Sequence, residues 1–209
     1  MKAKILLIGV GVCLLSSFCR AGITYVNYAD DGDGAFSCDD YTYSGEAVYE
    51  LPVSVDGVQY EAVGHINGVI ETDSAEDPIL TIGNSIDNDL DFAWTAYNVN
   101  VYMSSEFTIA NEFVSTPGDW TVSVIQPTVH SGGNSDGEGS YGYMGQIQYS
   151  SGTPVAIGGS LDFGYSMVFD GYENFTFCQE MTAIPEPASL GLIALVSGSL
   201  YFSRRFFLI

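Results

Sequence analysis

Apolar and polar residues alternate along the middle of this chain, and turn residues break the alternation about every 8 to 12 positions. Tyr49, Leu51, Val53 and Val55 alternate with Glu50, Pro52 and Ser54, and Val58, Tyr60 and Ala62 follow Asp56-Gly57. An Asp-Gly pair between such runs predicts a two-residue hairpin turn, and Asn67-Gly68, between Ile66 and Val69, predicts a second. Phe92–Met103 is the longest strand-like segment, with Ala93, Thr95, Tyr97, Val99, Val101 and Met103 opposing Phe92, Trp94, Asn98 and Asn100. Trp120, Val122 and Val124 likewise oppose Thr121, Ser123 and Ile125. Further strands are expected at Thr24–Tyr28, Leu80–Ile82, Phe107–Ala110, Tyr143–Tyr149, Val155–Ile157, Leu161–Phe169 and Asn174–Cys178. Helix signals are nearly absent, since Gly is abundant and Leu and Ala are sparse in the middle. The pattern predicts an all-β chain, a single β-sandwich or jelly roll whose facing sheets are filled by Tyr, Phe and Trp. Ser131–Ser140, reading SGGNSDGEGS, reads as a flexible loop.

Both ends have a different character. Lys2 and Lys4 precede an apolar run from Ile5 to Phe18, and Cys19-Arg20-Ala21 follows. A basic start, an apolar run shorter than the roughly 20 residues of a spanning helix and a small-residue exit predict a signal peptide over 1–21, cleaved after Ala21. Phe18 before Cys19 argues against a lipoprotein signal. The β-sandwich domain is then expected over 22–183, and a C-terminal segment with a transmembrane helix over 184–209.

Charge is partitioned between these parts. Lys2, Lys4, Arg20, Arg204 and Arg205 are the five basic residues, and none lies between Gly22 and Ala183. That interval holds 25 of the 26 acidic residues and carries about −25 with its two His neutral. Such a surface repels phosphate backbones and attracts cations, which excludes nucleic acid as a partner and makes extracellular Ca²⁺ the candidate cofactor. Asp30-Asp31-Gly32-Asp33-Gly34 and Asp39-Asp40 supply closely spaced carboxylates on a Gly-bent loop, so Asp31, Asp33 and Asp39 are the candidate Ca²⁺ ligands. It is not an EF-hand, because Ala29 stands at the first ligand position and no Glu closes the loop. Asp87, Asp89 and Asp91 form a second cluster, and solvated turns capped by Asp are the plain alternative for both.

Two cysteines, Cys38 and Cys178, remain in the expected mature domain, and an oxidising compartment predicts that they pair. The bridge would close a loop of about 140 residues, worth roughly 4–5 kcal/mol on the chain-entropy model. His65 and His130 have no patterned Ser, Cys or third ligand and read as ordinary loop or strand residues. Asn174-Phe175-Thr176 has the form of a glycosylation sequon but reads as strand alternation.

Pro185-Glu186-Pro187, an apolar stretch from Ala188 to Phe202 and Arg204-Arg205 close the chain. Two prolines remove two backbone donors, which predicts an extended segment outside helix and sheet, open to a processing enzyme. The apolar stretch spans about 22 Å as a helix, against about 30 Å of hydrocarbon. Arg204 and Arg205 are expected to stay cytoplasmic, which places the acidic domain across the membrane. This order resembles the PEP-CTERM sorting domain, also labelled an ice-binding protein C-terminal domain, over about Ile184 to Arg205. The resemblance implies a sorting motif of Pro185, Glu186, Pro187, Arg204 and Arg205. It also implies export machinery and an exosortase-type processing enzyme as partners, and membrane attachment through the C-terminal helix before processing. The expected destination is the cell surface, outer membrane or extracellular matrix, where extracellular polysaccharide is a candidate partner.

Phe92-Ala93-Trp94-Thr95, Pro117–Val122 and Thr153–Gly159 resemble a secreted β-rich domain found before this sorting signal, a likeness that implies no active site. Glu71-Thr72-Asp73-Ser74-Ala75-Glu76 resembles the E-x-D-x-x-E pattern of laminarinase and agarase-type glycoside hydrolases. That likeness would make Glu71 the nucleophile, Asp73 its electrostatic partner and Glu76 the general acid/base. The small intervening residues and the following Asp77-Pro78 turn speak against it. The reading is therefore a non-catalytic, surface-displayed β-sandwich, with a carbohydrate- or Ca²⁺-dependent binding module as the alternative.

Overall fold

Alternating sequence becomes strand throughout the computed structural model, which describes residues 22–30, 32–38, 40–42, 48–73, 78–169 and 174–186. Twelve strands occur among them: β1 Ile23–Asp30, β2 Gly34–Cys38, β3 Tyr41–Thr42, β4 Glu50–Gln59, β5 Val63–Thr72 and β6 Ile79–Asn88. They continue as β7 Trp94–Met103, β8 Phe107–Thr116, β9 Thr121–Gly132, β10 Tyr141–Val155, β11 Ser160–Phe169 and β12 Asn174–Pro185. The described chain is all-β and contains no helix. The expected signal peptide and the apolar C-terminal stretch, with Pro187, Arg204 and Arg205, lie outside the described residues.

Seven strands form one sheet in the order β3-β1-β5-β12-β7-β10-β9, and five form the other in the order β2-β4-β6-β11-β8. All pairings are antiparallel except β4 with β6. One apolar core joins the sheets, as expected of a β-sandwich, and contains Val53, Val55, Ile82, Val99, Val101, Tyr149, Phe163 and Phe177. Polar side chains tie the sheets across it. Tyr165 Oη donates to Gln179 Oε1 at 2.7 Å, and Gln179 Nε2 donates to Asn84 Oδ1 at 2.8 Å. At one edge the Gln126 amide acts as a substitute strand: Oε1 accepts from Ile109 N at 3.0 Å, and Nε2 donates to Ile109 O at 2.8 Å.

Alternation in β7 changes phase once. Trp94 and Tyr97 are both fully buried, with ring centroids 5.0 Å apart, although a regular strand would point them to opposite faces. Both neighbouring strands skip Thr95: Ala96 and Trp94 pair with Ile184 and Pro185 on one side and with Ser150 and Val155 on the other. The bulge turns the Thr95 hydroxyl onto the Pro185 carbonyl at 3.1 Å. Val155 ends β10, so Val155–Ile157 is not a strand of its own, and Ile157 is exposed.

Neither predicted hairpin exists. Asp56-Gly57 lies inside β4, where Gly57 pairs with Phe36, and Asn67-Gly68 lies inside β5, where Gly68 pairs with Phe177. The two glycines make room for an aromatic ring from the neighbouring strand. A Cβ on Gly57 would collide with the Phe36 ring, and one on Gly68 with the Phe177 ring.

The predicted disulfide is also absent: no two cysteines among the described residues are bonded. Strand alternation separates the pair. Cys38 packs against the inter-sheet core, whereas Cys178 follows the inward Phe177 and joins Tyr102 and Tyr141 on the outer face of the seven-stranded sheet. Pro185 corrects the third expectation, because it does join the sheet as the last residue of β12. It sits at a register shift, where a missing donor is tolerated, and both it and Glu186 are exposed.

Candidate functional site

Four strands place one polar residue each in a row on the outer face of the seven-stranded sheet. His65 of β5 pairs with Glu180 of β12, Glu180 with Asn100 of β7, and Asn100 with Gln146 of β10. Gln146 Nε2 donates to Asn100 Oδ1 at 2.8 Å, and Asn100 Nδ2 donates to Glu180 Oε1 at 2.7 Å. The other carboxylate oxygen, Oε2, lies 3.3 Å from His65 Nε2 and accepts from Ser135 N at 2.9 Å and Tyr102 Oη at 3.5 Å. Burial works to raise the Glu180 carboxyl, but hydrogen bonds from His65, Ser135 and Asn100 outweigh it and lower it to about 2.

The edge of β1 explains how Asp33 reaches this row. Pairing of β1 with β5 ends at Asp30 opposite Ile66, so the β1 ladder stops one residue short of His65. Asp33 fills the gap with both oxygens. Its Oδ1 accepts from the His65 backbone N–H at 3.0 Å, and its Oδ2 lies 2.6 Å from Nδ1 of the ring. Asp30 shapes the connecting turn by accepting from Gly32 N at 2.9 Å and Phe36 N at 3.3 Å.

Residues 131–140 cover the row and are held rather than loose. Asn134 is buried; its Oδ1 accepts from Glu138 N at 2.8 Å, and its carbonyl accepts from Gly137 N at 3.0 Å. This turn presents Ser135 N to Glu180 and brings Asp136 Oδ2 within 3.5 Å of His65 Nδ1. His65 is 1% exposed, whereas Asp136 is 63% exposed. The covered centre therefore opens into a cleft of about 290 Å³ bounded by Gly32, Asp33, Glu61, Asp136 and Glu138.

Chemically, the imidazole has carboxylates at both nitrogens, so it can hold a proton or a cation between them. Asp33, His65 and Asp136 are the group of three ligand-bearing side chains that gathers among the described residues, with one ligand atom of each within 4.8 Å of the others.

Of the Ca²⁺ ligands expected from sequence, Asp33 is in this group, whereas Asp31 and Asp39 lie outside the described residues. In the second acidic cluster, Asp87 instead accepts from the Ser160 hydroxyl at 2.6 Å. The reading of His65 as an ordinary residue missed its partners, which lie 32 and 115 positions away. His130 is placed by the Gly133 carbonyl, 3.1 Å from its Nε2, and by the Tyr102 ring. Within the hydrolase-like pattern, the Asp73 carboxylate accepts from Gly22 N at 3.0 Å, and Glu76 lies outside the described residues. Among known proteins, no family model, no curated protein and no solved structure matches the chain.

Proposed function

We propose that this chain is an exported, surface-displayed, non-catalytic β-sandwich of the cell envelope or extracellular matrix, delivered by signals at its two ends. The observation that carries the reading is the confinement of all five basic residues to those ends, with none between Gly22 and Ala183. A basic start followed by a short apolar run directs export, and a terminal Arg pair after an apolar stretch holds the other end at the cytoplasmic side. In that arrangement the acidic domain is left outside. The exposure of Pro185 and Glu186 at the end of β12 supports access by a processing enzyme of the exosortase type.

Burial of both tryptophans supports a scaffold over a sugar-binding surface, although Tyr49, Tyr60 and Phe113 are exposed. Trp94 and Trp120 are 0% and 5% exposed, so neither offers a stacking face to a carbohydrate. Tyr97, Tyr149, Tyr165, Phe163, Phe169, Phe175 and Phe177 are likewise buried.

Fractionation of a bacterium that expresses the full chain together with an exosortase-type enzyme tests the proposal. The expected result is a shortened species at the cell surface or in the medium. Replacing Pro185, Glu186 and Pro187 by Ala should leave a species with its C-terminal segment retained in the inner membrane. Recovery of the unaltered chain from the cytoplasm would sink the proposal.

A further inference from the structure

We propose that Asp33, His65 and Asp136 bind a divalent transition metal of the zinc class, with Glu180 as the outer carboxylate that orients the imidazole. The inference concerns the folded domain and is independent of where the domain is delivered.

Geometry is the first argument. His65 Nδ1 lies 2.6 Å from Asp33 Oδ2 and 3.5 Å from Asp136 Oδ2. That nitrogen carries at most one proton to donate, and the ligand atoms of the two carboxylates and the ring all lie within 4.8 Å of one another. A dication at their common point attracts all three. Zinc bonds of about 2.0–2.2 Å put neighbouring ligand atoms roughly 3.4 Å apart. Asp33 Oδ2 would therefore retreat by less than about 1 Å, while its Oδ1 keeps the bond from the His65 backbone N–H.

The far side of the ring is the second argument. Histidines that ligate a metal direct their other nitrogen to a carboxylate or carbonyl, which fixes the tautomer and raises the basicity of the ligating nitrogen. Glu180 Oε2 stands 3.3 Å from His65 Nε2 and is itself fixed by Ser135 N and, through its other oxygen, by Asn100. The outer shell of a metal centre is thus assembled from two strands and a loop.

Charge supplies the third argument. Asp33, Glu61, Asp136 and Glu138 bound one cleft, and no Lys or Arg exists between Gly22 and Ala183 to neutralise them. Donor chemistry then selects the ion. Ca²⁺ takes oxygen ligands, whereas an imidazole nitrogen beside carboxylates suits zinc and its neighbours. Three protein ligands leave a fourth position, on the side of the cleft, for water or an external ligand.

The test uses the full chain, stripped with EDTA and titrated with zinc chloride or calcium chloride by calorimetry and thermal denaturation. Zinc at about 100 times its Kd is expected to raise the Tm by roughly 5–10 °C, and 1 mM Ca²⁺ is expected to leave it unchanged. Asp136 is exposed, so Asp136→Asn should fold normally while weakening zinc binding at least tenfold. His65→Gln should abolish binding, but its buried position makes Asp136→Asn the deciding variant. No zinc response, a response equal in Asp136→Asn, or an equal response to Ca²⁺ would overturn the proposal.

Discussion

Replacing Glu180 by Gln is expected to destabilise the fold by about 3 kcal/mol, although the new side chain has the same shape. One oxygen of the carboxylate accepts from Asn100, and the other faces His65 Nε2, Ser135 N and Tyr102 Oη. A Gln amide offers one acceptor and one donor. If its NH₂ faces Ser135, two donors meet and the backbone N–H cannot turn away. If the NH₂ faces Asn100, that amide must flip, and Gln146, which donates to Asn100 Oδ1 at 2.8 Å, must flip with it. Either way His65 loses the negative charge at Nε2 inside a covered site. A drop in Tm of roughly 6–12 °C should follow at pH 7 with EDTA present.

The pH dependence has a definite sign. The Glu180 carboxyl is lowered in the folded state from 4.5 to about 2. Its contribution is therefore fully present above the unfolded value and is lost as the pH falls toward the folded one. The gap in stability between the unaltered chain and Glu180→Gln should narrow between about pH 5 and pH 2. A Gln variant as stable as the unaltered chain at pH 7 would show that the row does not hold the sheet together.

A site of this kind is hard to read from sequence because its parts are chosen by register. His65 and Glu180 meet only because β5 and β12 pair with Gly68 opposite Phe177, a match that no local pattern announces. One signal was nonetheless present. Glu180 stands between Phe175, Phe177, Cys178 and the following Met181, Ala183 and Ile184, within a stretch of chain that has no Lys or Arg. A carboxylate in a buried strand needs a partner, and His65 and His130 are the only side chains between Gly22 and Ala183 able to become cationic.

Strand positions were legible wherever alternation was regular, as in Leu51, Val53 and Val55, or in Trp120, Val122 and Val124, all of which face the core. Legibility failed at Trp94, where the bulge at Thr95 shifts the phase, and at Cys38 and Cys178, whose faces depend on which sheet each strand joins. It failed again at Asp-Gly and Asn-Gly, which signal a turn only when the glycine must adopt a positive φ. Gly57 and Gly68 are not among the glycines with positive φ.

Gly68→Ala is expected to separate these two uses of glycine. In a hairpin turn, Ala at this position would suffer only from the positive φ, and Asn would be tolerated better than Ala. In β5, the Ala Cβ would lie 2.5 Å from Phe177 Cζ and 2.7 Å from the Asn27 carbonyl oxygen. Phe177 is 1% exposed and packs edge-on against Tyr28 at 5.0 Å, so its ring has no free space to enter. Asn27 is strand backbone paired with Val69 and cannot withdraw without breaking the ladder between β1 and β5. Overpacking against both should cost about 3 kcal/mol, or roughly 6–12 °C in Tm. Asn at 68 should be worse than Ala, because the larger side chain meets the same walls. Phe177→Leu removes the ring but leaves the carbonyl. The double variant should therefore recover part of the loss, with a coupling of about 1 kcal/mol in a double-mutant cycle. Urea denaturation of the four proteins measures that coupling. Additive losses, or Asn at 68 better tolerated than Ala, would restore the turn reading and remove the ring from the explanation.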